Sequence, residues 1–379
     1  MKRLIYLDNS ATTKPCDEAI IAAENAMTEN YGNPSSLYSF GMQAEQILSS
    51  ARLSVADFLN AREDEIYFTS CGSESNNTAI FGAAQMLKRR GNHIVATSVE
   101  HPSVLEPLKR LEQSGFEVTY LRPRETGNIN PEQFKAAIRK DTVLVCCMAV
   151  NNEVGSIFPF DKLKSIIKSQ NSNALLFVDA VQAFGKLPID VAEAEIDLMS
   201  ASAHKIHGIK GSGMLFVKKN IHLPIYLYGG GQEKGLRSGT EAVPNIAAFG
   251  AAVKALPDLK KSAEKINRLN LILREKLSEF DNAVINSPEN ALPYILNFSF
   301  LGYRSETLLH QLEKSGVCVS SGSACSKGKG SYVLREMQLE NKLVDSALRV
   351  SFSRFSDEDD VFELISALKT ALNLRKSVK

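Results

Sequence analysis

The chain has 379 residues, 44% of them apolar and 23% charged, with 44 Lys and Arg against 43 Asp and Glu. A net charge of +1 leaves no surplus of cations to neutralise phosphates, which argues against direct nucleic-acid binding; the ordinary composition excludes a disordered or collagen-like chain. A chain of this length buries roughly three-quarters of its unfolded surface and needs no disulfide staple.

Residues 1–8 begin with two basic residues after the Met and reach Asp8 after only a short apolar run. That run is too short for a secretory signal or a membrane span, so a cytoplasmic chain without membrane contact is expected. The six cysteines, Cys16, Cys71, Cys146, Cys147, Cys318 and Cys325, form no C-x-x-C pair and are expected to be reduced thiols. Cys146 and Cys147 fall inside the apolar run 143–150 and read as core.

From residue 66 onward, short apolar runs alternate with longer helical patterns. Runs at 66–69, 93–97, 118–121, 143–150, 174–178, 198–200 and 214–217 predict seven buried strands. Helical periodicity occupies 74–88, 104–113, 131–139 and 160–168, and 243–256 predicts a closing helix. This alternation predicts an α/β fold with a mostly parallel seven-stranded sheet and helices on both faces. A long amphipathic helix over 258–280 follows. Then come a strand at 295–300, a helix at 306–314, a strand at 317–319 and a last helix at 357–374. These predict a smaller α+β domain of 1–14 and 258–379 beside a large domain of 15–257.

Ligands of open α/β sheets bind beyond the carboxyl ends of the strands. There the sequence places Gly72-Ser73 opening a helix, then Glu100-His101, Asn151-Asn152-Glu153, Asp179-Ala180-Val181-Gln182 and Ser202-Ala203-His204-Lys205. Each has a plain structural explanation alone: a capped turn, a hydrogen-bonded imidazole, a capping Asp, a solvated Lys. Together they describe one ligand, with a phosphate for the helix terminus and a flat ring for His101. That ligand also has a basic ring nitrogen for Asp179, an acceptor oxygen for Asn152 or Gln182, and an aldehyde for an amine. Pyridoxal 5'-phosphate has all of these features. A dinucleotide is the alternative, but no G-x-G-x-x-G follows the first strand of this sheet.

At this point the chain resembles the cysteine desulfurases of the NifS/IscS type, in the class V aminotransferase group of fold-type I pyridoxal phosphate enzymes. The matching stretches run through nearly the whole sequence. They include Tyr6-Leu7-Asp8-Asn9-Ser10-Ala11-Thr12-Thr13, Gly32-Asn33-Pro34-Ser35-Ser36, Asn152-Glu153-Val154-Gly155, Arg237-Ser238-Gly239-Thr240-Glu241 and Ser320-Ser321-Gly322-Ser323-Ala324-Cys325, beside the strand-end motifs above.

The resemblance implies that Lys205 bonds to the cofactor aldehyde, Asp179 pairs with the ring nitrogen and His101 stacks on the ring and shuttles a proton. It gives Gln182 and Asn152 the phenolic oxygen. The phosphate would go to Gly72, Ser73, Ser202, His204 and, from the other subunit of a homodimer, Thr240. Arg349, with Asn152, would bind the L-cysteine substrate, and Cys325 would take its sulfur as a persulfide. The products would be L-alanine and sulfur for an acceptor protein, serving iron–sulfur assembly or tRNA and cofactor thiolation. No resident metal is implied; an iron–sulfur contact would come through the persulfide on Cys325. The small residues and cations around Cys325, ending Ser326-Lys327-Gly328-Lys329-Gly330, predict a mobile, solvent-reachable loop that favours the thiolate.

Cys71 and Ser73 stand where the family more often has Gly and Thr, Tyr38 where His is frequent and Ala242 where Asn is frequent. The cysteine loop is also slightly shorter than in the housekeeping enzymes, which leaves the sulfur acceptor open. Selenocysteine cleavage, transamination and a catalytically silent scaffold are the competing readings. Cys325 discriminates against transamination, and the intact Lys205, Asp179 and His101 against a scaffold.

Overall fold

The computed structural model describes residues 3–170, 172–321 and 330–376. In chain order the elements are β1 (Ile5–Tyr6), α1 (Asp17–Thr28), α2 (Ser39–Leu59), β2 (Ile66–Thr69), α3 (Gly72–Leu87), β3 (His93–Thr97), α4 (Pro102–Glu112) and β4 (Glu117–Leu121). Next come α5 (Pro131–Ala137), β5 (Thr142–Met148), α6 (Leu163–Ser169), β6 (Leu175–Asp179), β7 (Leu198–Ser202), β8 (Gly213–Val217) and α7 (Val243–Lys254). The chain continues through α8 (Leu259–Leu277), β9 (Ala283–Ile285), β10 (Ile295–Phe300), α9 (Ser305–Lys314) and β11 (Val317–Cys318). It ends in α10 (Tyr332–Glu336), α11 (Asn341–Val344), β12 (Ala347–Ser351) and α12 (Glu358–Lys376).

Seven strands form one sheet in the order β2-β8-β7-β6-β5-β3-β4. Strands β7, β6, β5, β3 and β4 are parallel, and β8 runs antiparallel to both of its neighbours. The mostly parallel α/β sheet expected from the sequence is therefore present, with each predicted strand in place. Its inner strands are covered on both faces. Every residue of β5 is buried, Cys146 and Cys147 among them, which is why the run reads as continuously apolar rather than alternating. From β3 the chain goes out to the edge strand β4, then returns to β5 on the other side of β3. The crossovers diverge between β3 and β5, a switch point that opens a crevice at the carboxyl ends.

A second sheet, β12-β10-β9, is antiparallel, and β1 pairs in parallel with β11 through Ile5↔Val317. Asp8 bridges to Ser351, so the amino-terminal segment is stitched to the carboxyl-terminal third of the chain. Helix α8 follows Pro257 and is capped by Asp258, whose carboxylate accepts from the Lys261 amide at 2.8 Å. It buries Ile266, Leu269, Leu273 and Leu277 at helical spacing. No helix among the described residues is long and apolar enough to cross a membrane.

Candidate active site

A cavity of about 320 Å³ opens where β3, β5, β6 and β7 end. Its wall includes Gly72, Ser73, His101, Asn152, Asp179, Gln182, Ser202, His204, Lys205 and Arg349, every one a candidate from the sequence. Thr240 is exposed and does not line it, and Cys325 lies outside the described residues. Ser10 and Ala11 of the amino-terminal segment close one side, and Ser320, Tyr332 and Arg349 close another.

Asp179 ends β6 and is buried. One oxygen accepts from the Val181 amide at 3.0 Å and the other from Asn76 Nδ2 at 2.8 Å. The second Asn76 N–H goes to Ser103 Oγ at 2.8 Å. That hydroxyl, having accepted, donates to His101 Nδ1 at 2.8 Å, where the Ser103 amide also donates at 3.2 Å. With Nδ1 committed as acceptor, the neutral imidazole carries its hydrogen on Nε2. Burial pushes the His101 pKa down; Asp179 opposes this and the Lys205 charge reinforces it. The chain Asp179–Asn76–Ser103–His101 thus fixes both the carboxylate and the ring. Asn76 and Ser103 escaped the sequence reading; the legible signal was Asn76 one turn beyond Gly72, a buried amide on a helix of small residues.

Helix α3 begins at Gly72 with Cys71 as its N-cap, and the Cys71 side chain makes no capping bond. Its first amides are therefore left for another acceptor, and the helix dipole favours an anion there. Glycine is required by close packing: a Cβ at Gly72 would meet Val181 Cγ2 at 2.8 Å. Ser202 Oγ is buried without a hydrogen-bond partner in the protein. Burial, then the cations Lys205, Lys210 and Lys186, pushes His204 down to about 4, so it acts as a neutral donor or acceptor. Its Nδ1 lies 3.1 Å from Thr12 Oγ1.

Lys205 closes a short 3₁₀ turn, Ala203–Lys205, after β7, and its amine donates to the Ser10 carbonyl and, at 2.8 Å, to that of Ala11. Arg349 lies at the centre of β12, buried except where it faces the cavity. Its Nη2 meets Asp8 Oδ1 at 2.6 Å and its Nη1 the Asn152 carbonyl at 2.9 Å, while Nε has no protein partner. Asn152 Oδ1 is likewise buried and unmatched. Glu153, pushed up to about 7 by burial although the Ser331 hydroxyl and Arg349 oppose this, accepts from Ser331. Among the described residues, no cluster of three His, Cys, Asp or Glu is placed to hold a metal ion.

These features fit a ring phosphate. An uncapped helix terminus with Ser202 beside it suits the phosphate, a fixed buried carboxylate suits a protonated ring nitrogen, and a lysine and an arginine complete the set. The class V aminotransferase family model matches residues 5–364. The chain belongs to this family, in its cysteine desulfurase branch. It is 37% identical to the cysteine desulfurase IscS of Dictyoglomus turgidum over 383 residues, spanning 100% of this chain and 97% of that one. A solved NifS-like protein superposes with a TM-score of 0.93 at 35% identity, covering 98% of this chain and 100% of that one. A structure of SspA in complex with cysteine has a TM-score of 0.82 at 32% identity, covering 93% and 99%. The cysteine desulfurases of this family depend on pyridoxal phosphate.

The orphaned Ser202 hydroxyl carries a prediction. Ser202→Ala removes an unsatisfied buried group, so the apoprotein should melt no lower than wild type and gain up to about 1 kcal/mol. The same change should weaken pyridoxal phosphate binding roughly tenfold to a hundredfold, the value of a hydrogen bond to a charged group. Thermal melts of the apoprotein and absorbance titrations with the cofactor measure the two opposite effects.

Proposed function

We propose that this chain is a cysteine desulfurase that converts L-cysteine to L-alanine and holds the released sulfur as a persulfide on Cys325. The observation that carries the reading is the single cavity shared by Lys205, Asp179, His101 and Arg349. Gly72, Ser73, Ser202 and His204 would hold the phosphate, Asp179 the ring nitrogen, and Gln182 and Asn152 the phenolic oxygen. Bound pyridoxal phosphate supplies an electron sink that accepts the pair left when the α-proton of cysteine departs.

The chain's own residues do the rest. Arg349, held by Asp8 and the Asn152 carbonyl, keeps Nε available for the substrate carboxylate. The Lys205 amine takes the α-proton and returns it, and the His101 Nε2–H serves as a second proton donor. The Cys325 thiolate then attacks the substrate sulfur. One C–S bond breaks and one S–S bond forms, the carbon is reduced to the methyl of alanine, and the thiol is oxidised to persulfide. Ser320 and Tyr332 line the cavity on either side of Cys325 in the sequence.

Thr240, exposed on its own subunit, supports a homodimer in which it completes the phosphate site of the other copy, as do the exposed Tyr226 and Tyr228 nearby. The division into a large domain of 15–257 and a small one of 1–14 with 258–379 is part of the same proposal. So are a cytoplasmic location and a sulfur-acceptor protein serving iron–sulfur or thiolation chemistry.

Incubating the purified holoenzyme with L-cysteine and a reductant tests the reading. Alanine and sulfide should appear in equal amounts. Pyruvate and ammonia in place of alanine would refute it.

A further inference from the structure

Behind the cavity lies a lysine that the mechanism does not use. Lys186 is buried, four residues beyond Gln182 in the turn that follows β6, and next to Gly185, whose φ of +74° and close approach to Ile206 let the chain turn there. Its Nζ donates to Gln182 Oε1 at 3.3 Å and stands 6.0 Å from the centre of the Tyr294 ring. The charges that bear on it most are the cations Lys205 and Arg349, so ion pairing does not explain its burial. Burial and those two cations push the amine down to about 7. A lysine in such a place costs stability, and what it contacts is the informative point.

Gln182 lines the cavity, and its Nε2 donates to the Ser10 carbonyl at 2.9 Å, the same oxygen that receives the Lys205 amine. An amide side chain has one end that only accepts and one that only donates. Rotating it by 180° would turn an acceptor toward the cavity. We infer that Lys186 is a positioning residue that locks the Gln182 amide with Oε1 inward and Nε2 toward Ser10 and the cofactor. Ser10 takes one of the two Nε2 hydrogens and leaves the other for an acceptor oxygen in the cavity. A deprotonated phenolic oxygen accepts only, so the flipped amide would repel it. In its protonated form Lys186 opposes the flip, because an ammonium group has no lone pair to accept from an N–H, and the Ser10 carbonyl, which only accepts, opposes it from the other end.

This inference rests on the reading that Gln182 meets the phenolic oxygen, and a double-mutant cycle separates the two. The probe is pyridoxal phosphate added to full-length apoprotein, followed by its dissociation constant and visible absorption maximum, with the thermal midpoint of the apoprotein measured alongside. Lys186→Met should keep or raise that midpoint, weaken binding about tenfold and shift the absorption band. In a Gln182→Ala background, Lys186→Met should change neither binding nor absorption. Unchanged binding in Lys186→Met alone, or an equal loss in both backgrounds, would overturn the role of Lys186 while leaving Gln182 in place. A Gln182→Ala protein with wild-type affinity and spectrum would overturn the Gln182 contact and the inference together.

Discussion

Cys325→Ala should load cofactor and bind L-cysteine as wild type does, yet form no protein persulfide and release alanine at least about 10³-fold more slowly. The expectation follows from a division of labour. The cofactor and substrate contacts assigned above belong to Gly72, Ser73, Asn152, Asp179, Ser202, Lys205 and Arg349, and removing one thiol takes none of them away. The electron sink alone activates the α-carbon; it does not provide an acceptor for the sulfur. The buried thiols offer no substitute: burial raises Cys146 and Cys147 far above their usual range, which leaves them protonated and inert. Cys71 does line the cavity, so residual transfer through it is the specific failure to look for. Alkylation with a persulfide-selective reagent and peptide mass spectrometry distinguishes sulfur on Cys71 from sulfur on Cys325. Wild-type persulfide yield in the variant would refute the assignment.

Arg349→Lys should lower kcat/KM for cysteine by roughly 10²-fold, mostly through KM, with cofactor affinity little changed. Lysine keeps the charge, but it lacks the planar fork that reaches Asp8, the Asn152 carbonyl and a carboxylate at once. The ammonium would satisfy Asp8 or the substrate, not both in the observed geometry. Arg349→Ala is the poorer test, because it strands Asp8 in a partly buried site and should cost about 2–3 kcal/mol of stability as well. Steady-state kinetics alongside a thermal melt separates loss of substrate binding from loss of fold. A lysine variant with unchanged KM would remove Arg349 from the substrate site.

Much of this was legible because the protein buries its strands on both faces. Runs such as 143–150 are then apolar without interruption, and the polar residues that follow them mark the edge where the ligand sits. The same logic hid other elements. Helix α1 carries Ile20, Ile21 and Met27 on its exposed side, so no single apolar stripe emerges, and it and α2 were missed. Strand β12 holds Arg349 in the middle of five buried residues, and a charge there breaks the apolar pattern of an interior strand. The expected helix at 160–168 opens as a 3₁₀ turn, Phe160–Lys162, after Pro159. Asn76 and Ser103 act by holding Asp179 and His101, and hydrogen-bond support of that kind leaves no spacing signature. Lys186 was invisible for a related reason: in sequence a lysine reads as solvated, and its interior position becomes apparent only once Gln182 and Tyr294 are seen packed around it.

The most direct measurement is to reduce the holoenzyme with borohydride, digest it and locate the pyridoxyl group by mass spectrometry. One modified peptide, with the group on Lys205, is the expected result. A pyridoxyl group on the neighbouring Lys186 or on any other lysine, or none in a cofactor-saturated sample, would contradict the account.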